Sequence, residues 1–236
     1  MAAFANDPAM IADYVAEPYL SFAKRAGLLP DGASADVTAQ VREIAKPCVL
    51  GQMYGMTYIG LARKTKKSQM WARDTIARFH SMYALFVRWQ GDTVAQAKFD
   101  RRIRSPYGWS MQVNGTTKHR TLMDWPAQAA GGDALRLTMV AAMKAGITVC
   151  GPVHDAVWVL APLDALDATL ATMRDIMRRA GLAVTGGRLE IGTKLEACVR
   201  YPNSYGDVRK PHETGQAMWL EIQELVSRLR QQKGLK

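Results

Sequence analysis

Arg42, Lys46, Leu50 and Tyr54 stand four residues apart and are followed by Gly55. On an α-helix each step of four overshoots a full turn by about 40°, so the four side chains form one slowly drifting stripe. Two cations at its start suit the phosphates of a nucleoside triphosphate, and the aromatic ring at its end suits a base. Read alone, the same stripe also describes a helix with two exposed cations and a buried tyrosine. A second group is Val153-His154-Asp155-Ala156-Val157, a charge set between apolar β-formers. An Asp at the bend of a hairpin can hold a divalent cation, because hard cations take carboxylate oxygens. A solvent-exposed turn Asp explains it equally. The third group is Asp124-Trp125-Pro126-Ala127-Gln128, followed by Ala129-Ala130-Gly131-Gly132. Small residues allow close packing against a backbone or ligand, and Gln128 could donate to a minor-groove acceptor. A core helix with Gln128 on its wet face is the plainer alternative.

These groups need elements to carry them. Asp7-Pro8 reads as an N-cap and first helical residue, and Pro18 starts a further helix that Gly27 ends. A helix from Ser34 or Asp36 through Tyr54 would carry the first stripe, with Pro47 inside it. Residues 68–104 read as one or two helices, with Trp71, Ile76, Phe79, Met82, Tyr83, Phe86 and Val87 at three-to-four spacing. A short strand over Trp109–Val113 follows the Ser105–Gly108 turn, and a helix runs from Pro126 to Ala145. Thr148–Leu160 reads as a hairpin with His154-Asp155 at its bend. Leu163–Ala180 is an amphipathic helix and Arg188–Val199 a strand. A helical front half followed by strand, helix and strand predicts an α+β fold with a small antiparallel sheet.

Composition bounds the class. The 236 residues are 48% hydrophobic and carry a net charge of +10, which is globular and not disordered. No apolar run reaches membrane-spanning length, the first residues lack the pattern of a signal peptide, and three scattered cysteines argue against a disulfide framework. Secreted, membrane and fibrous classes are therefore excluded, and a cytoplasmic setting is expected. Most of the positive charge lies between Arg63 and Arg104, where eleven basic side chains face three acidic ones. Such a segment attracts a polyanion through counterion release, although a solvated cationic face has the same composition. Gly187–Lys194 mimics a phosphate-binding loop but reverses its Lys-Thr order, and the histidines and cysteines show no zinc spacing.

Taken together, in this order and at these separations, the three groups resemble the C-terminal half of a family A DNA polymerase, of the bacterial polymerase I-like and phage type. Arg42-x3-Lys46-x7-Tyr54-Gly55 looks like motif B of the fingers, Val153-His154-Asp155 looks like motif C of the palm, and Arg120-x3-Asp124-x3-Gln128 occupies the place of the minor-groove segment. Residues 2–8 are similar to the stretch immediately C-terminal to motif A. The resemblance implies a junction segment over 1–33, fingers over 34–104 and a partial palm over 105–236. It implies template-directed DNA synthesis with Mg²⁺, dNTPs and primer-template DNA in a bacterial or phage-infected bacterial cytoplasm. Asp155 is the implied metal ligand. Arg42 and Lys46 grip the triphosphate, with Lys46 neutralising the leaving pyrophosphate; Leu50 and Tyr54 complete the nucleotide site. His154 contacts the primer terminus, while Arg120, Asp124 and Gln128 contact DNA and residues 63–104 follow the template backbone. Departures are Leu50 where an aromatic is usual, Pro47 after the lysine, Asp124 for Asn and Ala156 for an acid. Motif A, the source of a second metal-binding aspartate, is not found in these residues, so activity is expected to need a motif A-bearing polypeptide. A non-catalytic DNA-binding remnant is the alternative, and a generic RNA-binding protein a third.

Overall fold

Capping side chains set the starts of five of the helices in the first hundred residues. The computed structural model describes residues 1–195 and 213–232. A four-residue turn, α1 (Ala2–Ala5), precedes α2 (Pro8–Ala16), whose N-cap Asp7 accepts from the Met10 N–H. Glu17 caps α3 (Pro18–Arg25) through the Leu20 N–H, and Ser34 caps α4 (Ala35–Met53) through Val37. Thr57 and Ser68 do the same for α5 (Tyr58–Thr65) and α6 (Gln69–Met82). Each of these side chains satisfies an amide that the helix cannot pair internally.

The helix α7 (Ala84–Phe99) lacks such a cap of its own, because Tyr83 precedes it. Asp7 supplies the missing acceptor from a distance: its second oxygen takes the Phe86 N–H at 3.0 Å, and the residue is 2% exposed. Around this link lies the main core. Phe22, Phe79, Tyr83 and Phe86 are all buried, and Phe79 meets Tyr83 edge-on at 4.8 Å and Phe86 at 6.1 Å. The three-to-four spacing expected over 71–87 thus builds the core, but the run divides at Tyr83 into two helices.

Past α7 the chain departs from the helical expectation. Arg101 adopts a positive φ of 52°, and Arg102–Arg104 form a strand, β1, paired antiparallel with β2 (Ser110–Gln112). Ile103 turns inward while Arg102 and Arg104 do not, so this is a period-two segment too short to show in sequence. The long helix α8 (His119–Lys144) begins seven residues before the expected start, with Pro126 inside it. Proline removes one rung there. Leu122, fully buried with Val94, Ala97, Ile103 and Val113, holds the first turns in place and outweighs that loss.

Gly146 ends α8 and leads into the hairpin β3 (Thr148–Val153) and β4 (Ala156–Leu160). Its register pairs Val149 with Val159 and Val153 with Ala156, leaving His154-Asp155 at the bend as expected. Val149, Val157 and Val159 pack on Ala142 of α8 and on Met173 and Ile176 of α9 (Leu166–Val184). The expected strand Arg188–Val199 is corrected over its described part. Arg188–Leu195 contains no strand, and Ile191 lies instead against Gly181 of α9, whose missing Cβ makes room for it. The remainder of that stretch, with Cys198, lies outside the described residues. Among the described residues the architecture is mainly helical α+β with two two-stranded sheets. Residues 1–193 form one unit; a second, 194–236, contains the amphipathic helix α10 (Glu213–Gln232). Among the described residues no helix is long and apolar enough to cross a membrane.

Candidate functional site

Helix α4 carries Arg42, Lys46 and Leu50, with Tyr54 at its C-cap, and the four have different surroundings. Arg42 is half-buried: its Nε donates to Glu17 Oε1 at 3.1 Å and its guanidinium lies 5.1 Å from the Tyr19 ring centre. Lys46, one turn on, is exposed and has no ion pair among the described residues. Leu50 faces a cavity. Tyr54 caps the helix and remains 41% exposed, with its hydroxyl pKa pushed up by burial and by the neighbouring Asp124 and Tyr19. Two buried glutamines fix the end of α4: Gln90 donates to the Met53 carbonyl at 2.9 Å and Gln52 to the Met56 carbonyl at 3.2 Å.

Gly55 is where α4 meets α8. Its φ is +68°, a left-handed conformation, and an added Cβ would stand 2.8 Å from Met123 Sδ. Arg120 Nε donates to the Gly55 carbonyl at 2.9 Å. One turn along α8, Asp124 accepts from Gln128 Nε2 at 3.3 Å. Ala127, Ala130 and Gly131 then line a cavity of about 280 Å³ whose other walls include Leu50, Met53, Tyr19 and Ile191. The structure therefore brings Arg120 to Gly55 and Asp124 to Tyr54, with Gln128 bonded to Asp124, while Leu50 faces Ala127 and Ala130 across the cavity. Replacing Gly55 by Ala is expected to cost about 1–2 kcal/mol, chiefly from the left-handed backbone. A thermal melt measures it, and an unchanged midpoint would contradict the backbone account.

His154 and Asp155 form the β3–β4 bend, and both are exposed. His154 has a φ of +55°, where glycine would be the unstrained choice. No hydrogen bond or ion pair among the described residues joins this bend to α4. The common element is α8: its first half holds the minor-groove candidates against Tyr54-Gly55, and its Ala142 supports the hairpin. No cluster of three metal-ligating side chains occurs among the described residues. Asp155 offers one carboxylate with no hydrogen bond or ion pair among the described residues, which suits a hard cation as a single ligand and leaves the rest of the shell to other groups.

Sequence reasoning missed Glu17, Tyr19 and Met123. Glu17 before Pro18 carries a helix-cap signal, but nothing in the sequence marks its second oxygen for Arg42, 25 residues away.

Helices α4 and α8 line one cavity, and the far end of α8 supports the hairpin that carries Asp155 at its bend. The DNA polymerase family A model matches residues 1–201, so the chain belongs to that family. Among solved structures, the POL domain of Pol1 from M. smegmatis in complex with DNA primer-template and dNTP has a similar fold. Its TM-score is 0.64 at 20% identity, over 76% of this chain and 34% of that one. The chain thus spans about a third of that relative's length. No curated protein matches.

Proposed function

We propose that this chain supplies the fingers and part of the palm for template-directed DNA synthesis, with residues 34–104 as fingers and 105–236 as partial palm. The observation that supports the reading is the meeting of Tyr54 and Gly55 at the end of α4 with Asp124 and Arg120 of α8, Gln128 being bonded to Asp124. In this reading Lys46 projects its ammonium towards the triphosphate and neutralises charge on the leaving pyrophosphate. Arg42 binds the same phosphates. Leu50 and Tyr54 flank the incoming nucleotide, and Tyr54 lies by the templating base. Arg120, Asp124 and Gln128 meet the primer-template from its minor groove, His154 meets the primer end, and the basic segment 63–104 follows the template backbone. Asp155 would be one ligand to Mg²⁺, which when bound polarises the reacting phosphate and lowers the pKa of the attacking hydroxyl. The second carboxylate comes from a motif A strand outside these 236 residues, on a polypeptide joined to them or separate.

The test mixes or fuses this chain with a family A palm segment bearing motif A. Template-dependent extension that requires both parts and Mg²⁺ is expected. A second reading, a DNA-binding remnant without chemistry, is favoured by the single carboxylate at the hairpin bend and by the pairing of Arg42 with Glu17. It predicts salt-sensitive primer-template binding and no incorporation under any supplementation, a result that would overturn the polymerase reading.

A further inference from the structure

The loop between β1 and β2 carries aromatics that the fold does not need. Tyr107 and Trp109 are 52% and 55% exposed, while Ile103, Val113 and Leu122 form the core beneath. The loop is nonetheless tightly ordered. Ser105 N–H donates to the Trp109 carbonyl at 2.7 Å, and Trp109 N–H donates to Ser105 Oγ at 3.0 Å. Tyr107 N–H donates to Asp133 Oδ2 at 3.1 Å. Asp133, on α8, is 2% exposed. Burial acts to raise its pKa, but hydrogen bonds from Ser105, Tyr107 and Arg136 overcome this and hold the carboxyl below its ordinary value. Arg136 pairs with that carboxylate and sets its guanidinium 4.1 Å from the centre of the Trp109 ring. Gly132 lies alongside, leaving the indole edge only 3.8 Å from where a Cβ would be.

One face of Trp109 is thus covered by a pinned cation, and the rest of the ring borders an open cleft of about 450 Å³ with Tyr107 and Leu137. Pre-ordering matters because the ring loses little freedom on binding. Just before the loop, Arg101, Arg102 and Arg104 supply three cations in four residues, with no carboxylate partner among the described residues. Exposed aromatic faces beside arginines with no carboxylate partner among the described residues suit an anionic chain whose bases are unstacked, since duplex bases already have both faces covered.

We propose that the Ser105–Trp109 loop is a stacking platform for single-stranded DNA, with bases on Trp109 and Tyr107 and phosphates on Arg101, Arg102 and Arg104. It rests on the polymerase reading only in naming DNA as the strand, and there it would receive unpaired template.

The test measures affinity by fluorescence anisotropy for a blunt duplex and for the same duplex with a single-stranded 5′ overhang. The wild type is expected to favour the overhang. Trp109→Ala loses about tenfold on the overhang substrate and leaves blunt-duplex affinity unchanged. Trp109→Phe stays within about twofold of wild type on both. Tyr107→Ala, whose ring is not stacked on Arg136, repeats the selective loss and carries the test should Trp109→Ala fail to fold. Arg102→Ala lowers the salt slope by about one on the overhang substrate. Equal weakening on both substrates, or no weakening on either, overturns the platform. Overhang selectivity without any extension by the supplemented wild type would sink the polymerase reading and leave the platform standing. Extension with no overhang selectivity would do the reverse.

Discussion

Asp155→Ala is expected to lower primer extension by the supplemented enzyme at least about a thousandfold. Metal ligation at the reacting phosphate is worth several kcal/mol, and each 1.36 kcal/mol is a factor of ten in rate. The alternative ligand beside it is gone, because Ala156 follows directly and no cluster of carboxylates backs it up among the described residues. The substitution should leave the fold intact. Asp155 is exposed at a bend whose register is set by Val149–Val159 and Val153–Ala156, and it makes no ion pair or hydrogen bond there among the described residues. An unchanged melting temperature and unchanged primer-template affinity without Mg²⁺ would separate lost chemistry from lost structure. Asp155→Asn preserves the shape and should fail almost as badly. Extension within tenfold of wild type would remove Asp155 from the reaction.

Asp7→Ala should cost about 2–4 kcal/mol of stability. Loss of an N-cap costs about 1 kcal/mol, and a buried amide left without a partner costs about 1–3 kcal/mol more. Asp7 serves both roles, since one oxygen takes the Met10 N–H of α2 and the other takes the Phe86 N–H of α7. A negative charge at two helix N-termini adds to the effect. Asp7→Asn can accept from only one of the two amides, so it should fall midway. Denaturant melts of the three proteins give the comparison. A loss of 1 kcal/mol or less for Asp7→Ala would mean that water replaces the carboxylate at α7.

Asp7 also illustrates what a sequence conveys. Its capping of α2 is local and legible in Asp7-Pro8, whereas its bond to Phe86 joins residues 79 apart and leaves no local trace. The same division holds elsewhere. The bounds of α4, the β3–β4 bend and the stripe through Tyr54 come from caps and periodicity. The helix α5 escapes a local reading because Gly60 interrupts its pattern, although Thr57 signals its start. The first turns of α8 escape it because proline argues locally for a boundary at Pro126, and only the packing of Leu122 overrules it. Of the candidate site, the residue types are legible. The Arg120–Gly55 bond and the Glu17–Arg42 pair are not, since each depends on two elements docking.

That pair has a consequence for any phosphate ligand of α4. Arg42 already has carboxylate partners in Glu17 and, at 3.5 Å, Glu43, so a polyphosphate would enter by exchange, and its grip would reflect only the surplus over them. Glu17 is built to tolerate eviction: its other oxygen stays on the Leu20 amide at 2.5 Å, keeping α3 closed while the guanidinium changes hands.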